Sequence, residues 1–213
     1  MTFQSYGSKR NQQGFTIIEL LIATTVLSVI LLLVTVIMTN ISNLYYKGVN
    51  QSRLQDDVRN VTAEISQHLE LNDQAITSAS STYSGVLMQA YCIGDTRYSY
   101  VTNIQIGTGT GQIQHVLWRD TYSGGCTPVN LSLANPENGP NVGTDGTELI
   151  APNSRLTVLS ISVTSPFTVS IGMAYGVTSV MNLNGINTTC KDGGGDDFCA
   201  TASLNTTIVQ RID

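Results

Sequence analysis

Residues 15–38 read FTIIELLIATTVLSVILLLVTVIM, twenty-four positions carrying one charge, Glu19. A run of about 20 apolar residues is long enough to span a bilayer as a helix. A buried core helix can also be apolar on every side, but rarely for this long in a chain of 213 residues. An ordinary secretory signal has an apolar region of about 7–15 residues closed by a small-residue cleavage site. This run is longer and meets Asn40, Ser42 and Asn43 with no such site. Lys9 and Arg10 precede it, and the next basic residue is Lys47. The positive-inside rule therefore predicts residues 1–14 in the cytoplasm and everything after about Asn40 on the far side.

Composition narrows the classes for the remainder. Asp, Glu, Lys and Arg make up 12% of the chain, about half the usual share for a soluble globular protein. At 41% hydrophobic residues the chain is too apolar for intrinsic disorder. Ten basic against fifteen acidic residues leave a net charge of −5. A nucleic-acid binder needs a basic footprint to neutralise phosphates, and none exists.

An ionisable side chain inside a membrane costs about 2–3 kcal/mol near the midplane and less toward the ends. Glu19 needs a cation, and the sequence places none between Arg10 and Lys47. Cleavage between Gly14 and Phe15 would create one, a free α-amine at the start of the helix. That amine can meet Glu19 on its own chain, one turn away, or on a neighbouring helix. Spacing leaves both pairings open.

The segment KRNQQGFTIIEL, residues 9–20, resembles the processing motif of type IV pilins and type II secretion pseudopilins. The resemblance implies that a membrane prepilin peptidase cuts after Gly14 and methylates Phe15. It implies that Glu19 serves filament assembly, with other pilin or pseudopilin subunits and an inner-membrane assembly platform as partners. The resemblance covers residues 9–40. Many family members carry a helix-breaking proline midway along the run, where this chain has Val36, so local melting of the helix is not implied.

Beyond the apolar run, Leu54, Val58, Val61, Ile65 and Leu69 step by four, three, four and four, the spacing of one helical stripe. Arg53, Gln55, Asp56, Arg59, Glu64 and Gln67 take the other face. The stop is predicted at Leu71-Asn72-Asp73, giving a helix of roughly 85 Å at 1.5 Å per residue from residue 15 to 71. From Ser78 onward, short β-branched and aromatic runs alternate with Gly, Asn and Pro clusters. Strands are predicted at 98–106, 113–119, 156–163, 167–175 and 204–212, with Ser165-Pro166 turning one hairpin. The fold class expected is α+β, a long N-terminal helix packed on an antiparallel sheet. The chain divides into a leader (1–14), a membrane or filament-core helix (15–40), an amphipathic half (41–73) and a β-rich head (74–213). Size and general style make the head similar to the larger, J-type minor subunits of the family.

All four cysteines, Cys92, Cys126, Cys190 and Cys199, lie on the side predicted to be extracytoplasmic, where an even number reads as disulfides with three possible connectivities. The short loop between Cys190 and Cys199 favours pairing those two, which leaves Cys92 with Cys126. No C-x-x-C cluster suggests zinc. Asp192, Asp196 and Asp197 in the Gly-rich loop form a weak Ca²⁺ candidate against the plainer reading of a solvated turn. Residues 145–148, DGTE, are weaker still. His68 and His115 have no partner spacing for a metal or a triad, and Asn187 and Asn205 lie in chance-level Asn-x-Ser/Thr matches. The reading is a structural minor subunit, not an enzyme. It sits in the inner membrane by one helix and then in a surface or periplasmic filament. A membrane-anchored binding module or adhesin is the alternative.

Overall fold

The apolar run and the stripe belong to one helix, α1 (Ile17–Leu71). It contains no proline, and its one glycine, Gly48, faces open space. It stops where expected, as Asn72 turns its side-chain amide onto the Gln74 carbonyl at 3.2 Å and offers the backbone a local alternative to the helix. The computed structural model describes residues 15–105, 113, 115–132, 146–176, 181–191 and 199–209. Its contacts divide the chain into two units, Met1–Ser42 and Asn43–Asp213.

In the second unit Leu54, Val58, Val61, Ile65 and Leu69 are buried, each 3% exposed or less. They share one core with residues from the strands. Arg53, Gln55, Asp56, Arg59 and Gln67 stay exposed, while Glu64 is partly covered.

Five strands form an antiparallel meander in the order β1 (Thr77–Tyr83), β2 (Val86–Ile93), β3 (Thr96–Tyr100), β4 (Leu117–Thr121) and β5 (Thr147–Glu148). Ser84 and Gly85 both have positive φ, 50° and 82°, which matches the right-handed twist of a two-residue hairpin. The second sheet has the order β10 (Ala200–Ile208), β7 (Phe167–Tyr175), β6 (Ser154–Ile161). A short pair, β8 (Met181–Asn182) and β9 (Thr189–Cys190), completes the strands described. The hairpin expected around Ser165-Pro166 is β6–β7, and that X-Pro bond is cis.

Four expected strands are displaced, among them the one expected at 156–163, which is β6 and runs from Ser154 to Ile161. The run at 98–106 is β3, which begins at Thr96 and ends at Tyr100, and all five of its residues are buried. Alternation fails because both faces are covered. Tyr98 points to His68 of α1, while Arg97 and Ser99 meet the segment around Thr127 and Val129. Asn103, at φ 62°, turns the chain away and donates its N–H to the Leu156 carbonyl. Ile106 lies outside the described residues. The strand expected at 113–119 is β4, shifted to 117–121, with Ile113 buried but not in a strand. The last strand, expected at 204–212, is β10 from Ala200, paired with β7 from Tyr175 back to Phe167; residues 210–212 lie outside the described residues.

Candidate functional site

The first unit presents a helix whose apolar surface no other described residue of that unit covers. Every large apolar side chain from Phe15 to Met38 is exposed, between 49% and 83%. The hydroxyls of Thr24, Thr25, Ser28, Thr35, Thr39 and Ser42 each donate to a main-chain carbonyl one turn earlier, at 2.6–3.1 Å. Their polarity is spent within the helix, which leaves a surface suited to lipid or to other apolar helices. The helix is long and apolar enough to cross a membrane.

At its start, Glu19 is held by Thr16. The Glu19 Oε2 atom accepts the Thr16 N–H at 3.0 Å and the Thr16 hydroxyl at 2.9 Å, and the Glu19 N–H approaches Thr16 Oγ1 at 3.3 Å. The spacing T-x-x-E is a capping box, in which side chains at both ends satisfy donors that the first helical turn leaves open. The sequence carries the signal for this in Thr16-Ile-Ile-Glu19, a partner for Glu19 other than a cation. Phe15 is exposed and Gly14 lies outside the described residues.

Several charged groups of the head serve its own architecture. Arg97 and Asp120, paired in register on β3 and β4, are both buried. Arg97 Nε donates to Asp120 Oδ1 at 2.9 Å, Nη2 pairs with Oδ2, and Nη1 donates to the Thr127 carbonyl at 2.9 Å. Sequence reading did not find this pair, because only strand register brings the two together. Arg119 bridges Glu64 of α1 at 2.9 Å. His68 shares a 3.0 Å hydrogen bond with the Tyr98 hydroxyl. Burial pushes the Tyr98 phenol well above the usual range, the Glu64 carboxylate adds to the shift, and Arg119 opposes it.

Glu148 is a structural carboxylate. Its oxygens accept the N–H groups of Val116 and Leu117 at 3.0 Å and of Ile150 at 3.2 Å, which anchors the start of β4. His115 lies 3.3 Å from it and packs edge-on to Trp118. Glu148 thus already serves the backbone around β4, and Asp145, the other acid of the DGTE stretch, lies outside the described residues. Asp192, Asp196 and Asp197 also lie outside them. Among the described residues no group of three or more His, Cys, Asp or Glu side chains is placed to hold a metal. The structure joins Cys92 to Cys126 and Cys190 to Cys199.

Two grooves of about 300 Å³ flank α1 in the second unit. One is lined by Gln51, Gln55, Arg59 and β10, the other by Arg53, Asp57, Asn153 and Tyr175.

Residues 9–35 match the family model for the prokaryotic N-terminal methylation motif. No curated protein and no solved structure matches the chain. The chain therefore carries the prepilin-type signal of pilins and pseudopilins. That signal implies processing by prepilin peptidase and assembly with other pilins. Together with the apolar helix it fits a single-pass anchor with an extracytoplasmic head.

Proposed function

We propose that this chain is a minor pilin or pseudopilin. Prepilin peptidase cuts it between Gly14 and Phe15 and methylates Phe15, and the mature chain then joins a type IV pilus or type II secretion-like filament, at its tip or during initiation. The observation that carries this reading is the uncovered apolar surface of α1, which begins directly after a methylation motif and contains one carboxylate. Before assembly, Thr16 caps that carboxylate within the chain, which lowers the cost of holding Glu19 in lipid. In the filament, the α-amine of Phe15 from an adjoining subunit takes over as the partner. The gain comes from pairing opposite charges in a low-dielectric setting, and the pairing favours one axial stagger between helices.

The test is Glu19→Gln beside Glu19→Lys, with processing, membrane level and sheared-filament incorporation followed together. Gln keeps the shape and hydrogen-bonding capacity but removes the charge. Processing should stay intact and incorporation should fall, and Lys should be worse because two cations would then face each other. Normal incorporation of processed Glu19→Gln protein would mean that apolar packing alone recruits the subunit.

A further inference from the structure

Among the described residues, the outer edge of β10 is an open hydrogen-bonding face beside a cation. β10 lies at the end of its sheet, so every second residue turns its N–H and C=O away from β7. The parity is set by Gln51 of α1, whose amide donates to the Thr201 carbonyl at 2.7 Å. That carbonyl points outward. The ladder with β7 runs without a register shift from Ala200 to Ile208, so Ser203, Asn205 and Thr207 also present their backbone groups outward. Natural edges are commonly blunted by Lys, Pro or a bulge, and the sequence of β10, ATASLNTTI, has none of these.

Across the groove, Gln51, Gln55 and Arg59 follow one another at four-residue steps along α1. Four helical residues rise about 6.0 Å and two strand residues about 6.8 Å, so the helix row keeps nearly in step with the outward groups of β10. Gln51 fills the first position itself. Gln55 and Arg59 line the groove beyond it, opposite Ala202, Ser203 and Leu204, with about 300 Å³ of space between. Arg59 is the one charged residue lining the groove, is exposed, and forms no ion pair among the described residues.

We propose that this groove takes an extended, carboxylate-bearing segment of another polypeptide, which adds to β10 as a further strand while Arg59 pairs with its carboxylate. Main-chain bonds to Ser203 supply the attachment, and Arg59 with Gln55 supplies the preference for an acidic residue. This goes beyond the filament reading and does not depend on it.

The experiment uses the full chain in lipid nanodiscs and a fluorescein-labelled hexapeptide, Ser-Val-Asp-Ile-Thr-Ser, with anisotropy as the binding readout and hydrogen exchange to locate it. Saturable binding with slowed exchange across 200–208 is expected. Replacing the peptide's Asp by Lys should weaken binding about two- to fivefold, the range for an exposed ion pair. Arg59→Gln should remove the discrimination between the two peptides. N-methylation of alternate peptide amides should abolish binding with the protein unchanged. The proposal is overturned by absence of binding, by equal binding of the Asp and Lys peptides, by retained binding of the N-methylated peptide, or by protection on β1 instead of β10.

Discussion

Asp120→Ala is the sharpest test of how the head is held together. The substitution removes the carboxylate that Arg97 Nε and Nη2 hold, while the guanidinium stays buried and keeps its contacts to the Thr127 carbonyl at 2.9 Å and the Tyr122 ring at 5.8 Å. Breaking a buried pair from one side costs about 3–5 kcal/mol, because the remaining charge stays desolvated without its counter-charge. That is a large share of the roughly 5–15 kcal/mol by which domains are stable. With a urea slope of about 2 kcal/mol per molar, the midpoint should fall by about 1.5–2.5 M. Trp118, the only tryptophan, lies on β4 two residues before Asp120 and reports unfolding of the head by fluorescence. The double variant Arg97→Met with Asp120→Leu removes both charges and should recover most of the loss. A cost below about 1 kcal/mol for Asp120→Ala, the value of a surface pair, would refute the reasoning. So would a double variant as unstable as the single one.

A Cβ at Gly146 would lie 2.1 Å from Trp118 ring carbons, so Gly146→Ala should cost about 1–3 kcal/mol and shift the Trp118 emission. The Cys92–Cys126 link closes a separation of 34 residues and Cys190–Cys199 one of 9. On the chain-entropy account these constrain the unfolded state by about 3.8 and about 2.6 kcal/mol, so replacing the first pair by serines should lower the urea midpoint more. Nonreducing peptide mapping of native protein should recover both pairs. Burial, with the neighbouring Asp56 charge second, raises the Asp57 pKa. A raised carboxyl binds its proton more tightly in the folded state, so its contribution is present below the ordinary carboxylate pKa and is lost as pH rises through the folded value. Asp57→Asn should therefore raise the urea midpoint at neutral pH, and the difference should shrink on acidification.

The elements that announce themselves in the sequence are those with a period or a boundary. The stripe from Leu54 to Leu69 is legible because one helical face is buried and the other is wet. β7 is legible at its full extent, since its apolar run is bounded by Ser165-Pro166 and Gly176. β1, with the sequence TSASSTY, has almost no apolar signal, and only the following Ser84-Gly85 marks a hairpin. β3 is legible as a strand but not in its bounds, because Asn103 at positive φ turns the chain away before the run at 98–106 is complete. The Gly14-Phe15 junction and Glu19 stand out as a motif, whereas the partnership of Thr16 with Glu19 is visible only as a capping box. Arg97 and Asp120 lie 23 residues apart, and register alone joins them. The β10 groove is likewise a product of packing, because Arg59 and Ser203 are distant in the chain.

The central claim is that the mature protein begins at Phe15. Intact-mass measurement of the protein from its native membrane tests this most directly. Loss of residues 1–14 and the addition of one methyl group, assigned to the Phe15 amine by fragmentation, are expected. A mass corresponding to all 213 residues, or to a chain beginning beyond Asn40, would contradict it.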